Sequence, residues 1–413
     1  MQQPNGVSLD EEIVGLVDRI CQIKQDLLAV NNHATGSHDF QRKEILKELR
    51  LEAHRLMLAT QEPQEAFWEL IRRCSILSPI KVAQDIGVFR YLQNQSSATA
   101  KELAAASGAE ESLIVRVLRP LVADHLLWQM EDGAYAVSRQ GSIFAVSAYE
   151  EATSFAIEFL PVVLFNPSFF RQYGHREPRS HDDFNTPLAA YFQKPGYGFF
   201  DYLRDHPSIQ KLFIASMQAH PKKTNLSCSV YDYQAQLRLV DDDPSSVAIV
   251  DVGGSRGELL QEIRSRYPQL KGRMIVQDLA STFQSMSDSP AGVELMVHDI
   301  FIEQPVKGAA AYHLKRILHD WSDDKSRIIL RHLVSAMDAK RSKILIMDAV
   351  LPSTNLTLSE AMSDHSMLTF GGKERSENEW KELLSSVGLE IVQIYRGPEP
   401  EALLECRKVE TLV

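Results

Sequence analysis

The sequence predicts an α/β protein: a doubly wound, mostly parallel sheet in the C-terminal part, preceded by a largely helical part that contains a winged helix. Three observations carry this expectation. From Val247 onward, short apolar runs alternate with helical patterns at the spacing of βαβ units. Upstream, two helical stretches lead into a pair of short strands around Glu131-Asp-Gly133. With 413 residues, 44% of them hydrophobic, the chain is long enough for two or three domains with buried cores.

Composition narrows the function. A formal net charge of −11 argues against nucleic acid and anionic membrane surfaces, which bind through Lys and Arg. No run reaches the roughly 18 uncharged apolar residues of a membrane span. The start, Met1-Gln-Gln-Pro, soon meets Asp10, Glu11 and Glu12 and reads as no secretory signal. Cys21, Cys74, Cys228 and Cys406 are scattered and form no C-x-x-C pair, which fits a reduced cytoplasmic protein without disulfides or zinc. A soluble intracellular enzyme is the expectation.

In chain order, residues 1–62 read as a helical extension. Ser8-x-x-Glu11 has capping-box spacing, and Leu9, Ile13, Leu16, Val17, Ile20, Ile23, Leu27 and Leu28 stripe one helix face. After a polar break from Asn31 to Ser37, Leu46, Leu49, Ala53, Leu56 and Met57 continue a second helix. Such a pair either covers its own core or clasps a second subunit. Residues 63–225 form the second predicted domain, a winged-helix dimerisation and substrate-lid region. In it, Lys101-Glu-Leu-Ala-Ala-Ala starts a helix broken by Gly108, and Glu111 to Leu127 forms another, interrupted near Pro120. Trp128-Gln-Met and Ala134-Tyr-Ala-Val137 make the wing. DNA binding is disfavoured, because between Ser96 and Val146 four basic residues face six acidic ones. From Phe155 to Ala219 the chain is rich in Phe, Tyr, Leu and Pro, as a pocket wall or an ordinary core would be. The stretch from Lys222 to Ser246, with Asp241-Asp-Asp-Pro, reads as a junction to the sheet domain, residues 226–413.

The sheet domain carries the chemistry. Val247-Ala-Ile-Val enters Gly253-Gly254-x-x-Gly257 and a helix from Glu258 to Tyr267, so a ligand can approach the backbone closely. The spacing departs from the G-x-G-x-x-G of nicotinamide enzymes. Asp251, before the turn, would repel a pyrophosphate and suit a cation. Asp278 closes the next strand, Met274 to Val276, where an acid grips a ribose diol, and Asp299 follows the strand after it. An adenosine with a positively charged tail satisfies all three acids, and S-adenosylmethionine is such a molecule. Further strands are expected at Ala309 to Leu314 and Ile344 to Met347, around a helix from Lys325 to Met337. His319 lies just past the first of these, Asp348 ends the second, and Glu374 sits in Gly371-Gly-Lys-Glu-Arg375. Both acids are placed to orient and charge-stabilise an imidazole that takes a proton. Ser376-x-x-Glu379 opens a last helix, and Glu390 to Tyr395 and Leu403 to Cys406 read as strands joined by a tight turn at Gly397-Pro-Glu-Pro400.

Taken together, Val250-Asp-Val-Gly-Gly-Ser-Arg-Gly257, Gln277-Asp-Leu279, His298-Asp-Ile-Phe301, Leu318-His-Asp-Trp-Ser-Asp323, Val350-Leu-Pro352 and Gly371-Gly-Lys-Glu-Arg-Ser376 resemble the plant- and fungal-type small-molecule O-methyltransferases, the caffeic acid and sterigmatocystin O-methyltransferase group. The resemblance runs from about residue 75 to 405. It implies a Rossmann-like S-adenosylmethionine-dependent domain, a winged-helix dimerisation domain and a homodimer. It also implies Gly253, with Gly254 and Gly257, as the cofactor loop, Asp278 and Leu279 on the ribose side, Asp299 and Ile300 on the adenine side, and Lys315 as a basic cofactor contact. By the same match His319 is the catalytic base, Asp348 and Glu374 its flanking acids, and Met217 and Met367 the methionines that sandwich an aromatic acceptor. The plant pattern has Glu where this chain has Asp348.

A phenol suits this machinery. With a pKa of about 10, about a thousandth of it is ionised at neutral pH, and a positioned imidazole contributes roughly 10²- to 10⁴-fold by taking the proton. The expected reaction is methyl transfer to a phenol or enol of an aromatic or polyketide-type metabolite, leaving S-adenosylhomocysteine and using no metal. A non-methylating pericyclase or dehydratase on the same scaffold is the alternative. Relatives of that kind tend to lack the histidine that is present here as His319.

Overall fold

A computed structural model of the protein describes residues 8–31, 38–178, 185–219, 226–237, 245–284, 286, 290–354, 356–397 and 401–409. The chain divides into two compact units, Met1–Thr153 and Ser154–Val413.

The first unit opens with helices Leu9–Asn31 and His38–Thr60, packed against one another. Ser8 and Glu11 make the expected reciprocal cap. Leu16 and Ile23 of the predicted stripe are buried, while Leu9, Val17 and Leu28 stay exposed. The break before His38 lies outside the described residues. Helix Ala100–Ser107 is capped by Thr99 and stopped by Gly108 in a left-handed conformation. The next helix, Glu111–Ala123, tolerates Pro120 but ends sooner than the sequence suggests. His125 adopts a left-handed φ of 57° and turns the chain, so Leu127 already belongs to the wing. Strands β1 (Leu127–Gln129) and β2 (Tyr135–Val137) pair antiparallel, and Ala98 bridges to Tyr135. Phe89, Leu92, Leu103, Ile114, Leu118 and Leu121 form the core under them.

In the second unit an eight-stranded sheet is built from β3 (Val247–Val252), β4 (Arg273–Asp278), β5 (Glu294–Val297), β6 (Ala311–Lys315), β7 (Lys343–Leu351), β8 (Arg375–Ser376), β9 (Leu389–Arg396) and β10 (Glu401–Lys408). The order is β5-β4-β3-β6-β7-β10-β9, with β8 on the end of β7. Strands β3 to β7 run parallel, and β10 pairs antiparallel with both β7 and β9, so β10 alone is reversed in the sheet. Strand β7 runs well past the predicted Met347, because Ala349 pairs with Glu401, and Val350 and Leu351 with β8. Asp348 therefore lies inside a strand, not at its end.

The stretch expected as a soft junction is partly core. Helices Leu226–Val230 and Tyr233–Gln236 bury Cys228, Tyr231 and Tyr233 against β3 and its neighbours. Asp241 to Pro244 and the turn at 398–400 lie outside the described residues. One segment, Ser147–Tyr173, is long and apolar enough to cross a membrane by length and composition alone. It contains no uncharged run of that length, because Glu158 interrupts it. It is two helices, broken at Phe165, and it sinks Phe159, Val162 and Phe169 into protein interior.

Candidate active site

Strands β4 and β5 extend from one side of β3, and β6 and β7 from the other, so the carboxyl ends of β3 and β6 flank the point where strand order reverses. Ligands of such sheets bind in that crevice. The glycine loop follows β3. Gly253 and Gly257 have φ of 71° and 78°, which L side chains rarely adopt. A Cβ on Gly254 would stand 2.3 Å from Asp251 Oδ2 and 2.7 Å from Val276. The loop's own packing thus demands glycine. The carbonyl of Gln277 accepts the N–H groups of Gly253 and Gly254, and Asp278 Oδ2 accepts that of Ser255 at 2.9 Å.

Asp278 also accepts at Oδ1 from Leu279 N–H and Thr282 Oγ1, both at 2.7 Å. Its carboxylate is fixed in place at the strand end with lone pairs left for a diol. Leu279 beside it is 53% exposed. On the neighbouring strand end, exposed Asp299 precedes half-buried Ile300. Acids with open apolar neighbours on adjacent strand ends fit an adenosine. Lys315 closes β6, and burial pushes its ammonium below its usual range despite Asp251 and Glu262. Asp251 itself differs from the expectation. It is 1% exposed beneath Gly254, 3.7 Å from His313 Nδ1, and lies inside the protein rather than on the open side of the loop.

His319 occupies a one-turn helix, Leu318–Asp320, just after β6. Its Nδ1 is 3.1 Å from Glu374 Oε1, the expected partner. Glu374 is buried, receives Ser363 Oγ at 3.3 Å, and has its backbone N–H held by Asp364 at 3.0 Å. Nε2 of His319 faces Asp320 Oδ1 at 3.5 Å. Asp348 is 1% exposed and neither of its oxygens finds a hydrogen-bond donor. Burial alone would lower the His319 pKa, but Asp348, Glu374 and Asp320 outweigh it and raise it to about 9. Burial also raises Asp348 to about 7 and Asp320 to about 6, both against the pull of His319. Glu374 goes the other way: the His319 and Ser363 hydrogen bonds overcome its burial and hold it low.

The two methionines are not brought together in the same way. Met367 packs on a cluster of Phe159, Tyr197, Phe199, Tyr202 and Phe370, whereas Met217 is 42% exposed and outside that cluster. The aromatic stretch is mostly core, with Phe199 and Phe370 stacked at 4.9 Å. Asp320 and Arg375 lie inside the sequence motifs but carry no assigned role there, and Ser363 and Asp364 lie in none of them. The signal for Asp320 and Arg375 was adjacency to His319 and Glu374. Ser363 and Asp364 carried none, since only the fold brings their helix, Leu358–Leu368, to that loop. A cleft of about 250 Å³ among Glu177, Ser322, Arg327 and Lys373 is charged and contains none of the assigned residues.

Residues 180–390 match the family profile of an O-methyltransferase domain, and residues 68–147 that of an O-methyltransferase dimerisation domain. The chain belongs to the O-methyltransferase family. It is 30% identical to a demethylsterigmatocystin 6-O-methyltransferase of Aspergillus parasiticus, over 83% of this chain and 89% of that one. A solved structure of LepI in complex with SAM superposes with a TM-score of 0.80 at 27% identity, over 95% of this chain and all of that one. Another, titled "A Pericyclic Reaction enzyme", matches with a TM-score of 0.80 at 26% identity over the same shares. This O-methyltransferase uses S-adenosylmethionine.

Proposed function

We propose that this O-methyltransferase methylates a phenol or enol hydroxyl of an aromatic or polyketide-type metabolite, with His319 as general base. The observation that carries the reading is the His319–Glu374 hydrogen bond of 3.1 Å beside the switch point of the sheet. The acceptor class is supported by phenol acidity and by the substrate for which the Aspergillus parasiticus relative is named. Gly253, Gly254, Gly257, Asp278, Leu279, Asp299, Ile300 and Lys315 are the residues proposed to hold the cofactor, and Met217 and Met367 to contact the acceptor. The dimerisation profile supports a homodimer.

The cofactor supplies an electrophilic methyl group on a positively charged sulfur. Glu374 takes the Nδ1 proton in hydrogen bond, which leaves Nε2 as the nitrogen that accepts the acceptor's hydroxyl proton. The imidazolium so formed is stabilised by Asp348, Glu374 and Asp320. Those same acids hold His319 charged below about pH 9 in the unliganded site. With the cofactor's positive charge held beside it, His319 would lose its proton at lower pH, through like-charge repulsion, and so be able to serve as the base.

The test is incubation of the full-length enzyme with methyl-deuterated cofactor and a panel of hydroxylated aromatic polyketides, read by mass spectrometry. One labelled methyl per product is expected, with none from His319→Ala, which still binds cofactor by calorimetry. Normal turnover by that variant would falsify the assigned base. The neighbour titled as a pericyclic enzyme sets the second outcome: a rearranged product with no S-adenosylhomocysteine would replace methylation with that chemistry.

A further inference from the structure

Arg375 follows Glu374 directly and is completely buried. Its guanidinium is spent on the backbone at both ends of the His319 turn. Nη1 donates to the Leu318 carbonyl and Nη2 to the Trp321 carbonyl, each at 2.9 Å. Nε donates to Asp323 Oδ1 at 2.9 Å and Nη2 to Ser326 Oγ at 3.3 Å, both on the first turn of the helix Asp323–Ala336. Its Cζ lies 5.1 Å from the ring centre of Trp380.

The turn needs such a partner. Leu318–Asp320 is a single 3-10 turn, closed by a hydrogen bond from Trp321 N–H to the Leu318 carbonyl at 3.2 Å. Arg375 adds a second donor to that carbonyl and pins the Trp321 carbonyl just past the turn. The same loop also fixes the turn through Lys373, whose N–H donates to the His319 carbonyl at 2.8 Å. Only a rigid planar fork with five donors can reach both flanking carbonyls and a carboxylate at once. A lysine, with one point charge on a flexible stem, cannot.

We propose that Arg375 is a positioning residue for methyl transfer, holding the Leu318 and Trp321 carbonyls so that the His319 ring meets Glu374. The inference rests on His319 acting as the base. Arg375 and Glu374 are chain neighbours, so one side chain ties the donor and acceptor of that hydrogen bond into one rigid unit. Displacement of a reacting group by about 1 Å costs about 100-fold in rate.

The test uses full-length enzyme with ¹³C-labelled histidine, the His319 resonance being identified by its loss in His319→Asn. In Arg375→Gln the imidazole is expected to titrate at least about one pH unit lower than in wild type, as its contact with Glu374 loosens. Turnover of the phenol found in the panel falls about 100-fold, while the cofactor KM stays within about threefold. Arg375→Lys keeps the charge and is expected to show both defects. Full recovery by that lysine, or an unshifted imidazole in the glutamine variant, overturns the proposal. Should the glutamine variant not fold, Asp323→Ala removes the carboxylate shared by Nε and Nη2 while leaving the donors to the two carbonyls, and is expected to shift the imidazole in the same direction by less. No shift there overturns it equally. Normal turnover by His319→Asn removes the base reading instead, and the imidazole titration still judges whether Arg375 holds the ring.

Discussion

His319, Asp320, Asp348 and Glu374 are coupled closely enough that changing one retunes the others. Asp348 leads the groups that raise His319. Replacing it with Asn removes a negative neighbour, so the imidazolium loses its proton more easily. The profile of kcat/KM against pH reports the free enzyme, and its acid limb is expected near pH 9 in wild type. In Asp348→Asn that limb moves down by more than about one unit. A limb that stays put would show that Asp348 does not sense the ring. Stability follows the same signs. The folded pKa of His319 is raised, so its contribution is complete below about 6.5 and is lost as pH rises through about 9. Asp348, raised to about 7, binds its proton more tightly when folded, so stability also falls as pH climbs from about 4 to 7. Thermal melting across this range should decline less steeply in Asp348→Asn. His319 and Glu374 were legible as a pair because each lies in a short polar motif, His319 just past a strand and Glu374 in the Gly371–Arg375 loop. The burial of Asp348 was not legible, since the sequence predicts the strand to end there, whereas β10 pairs alongside it and β8 continues the pairing beyond it.

At the scale of elements, two glycine loops set the geometry, and they differ in what a methyl group would meet. At Gly372 a Cβ would stand 2.5 Å from the His319 carbonyl oxygen, which is backbone and moves only with its whole turn. Gly372→Ala should therefore displace the His319 turn and lower kcat by about 10²-fold, with cofactor affinity nearly unchanged. At Gly254 the Cβ meets Asp251 and Val276 instead. Gly254→Ala should weaken cofactor binding at least tenfold by calorimetry and destabilise the fold by about 1–3 kcal/mol. Equal effects of the two changes on affinity would break the division of labour between the loops. The sequence announced both loops by glycine spacing, and the capping box Ser376–Glu379 stands as predicted. It did not announce the length of β7 or the buried helices near Tyr231 and Tyr233, because strand extent and burial are set by partners distant in sequence.

At the scale of the whole molecule, the helix Pro63–Arg73 presents an apolar face that no core among the described residues takes up. Pro63–Arg73 buries none of its residues within the chain, and Phe67, Trp68, Leu70 and Ile71 are between 48% and 65% exposed. An apolar helix face of this kind is costly to leave in water, and its area suits a protein partner. The dimerisation profile begins at residue 68, within this helix, which makes a second copy the partner of choice. The acidic balance of the winged helix points away from DNA as the alternative cover. The full-length enzyme is expected to run as a dimer by light scattering at micromolar concentration. Trp68→Glu combined with Ile71→Glu places two like charges on that face and should shift the population to monomer, with cofactor binding retained by calorimetry. A monomeric wild-type enzyme, or a double variant that dimerises as tightly as wild type, would show that this helix meets something other than its own copy.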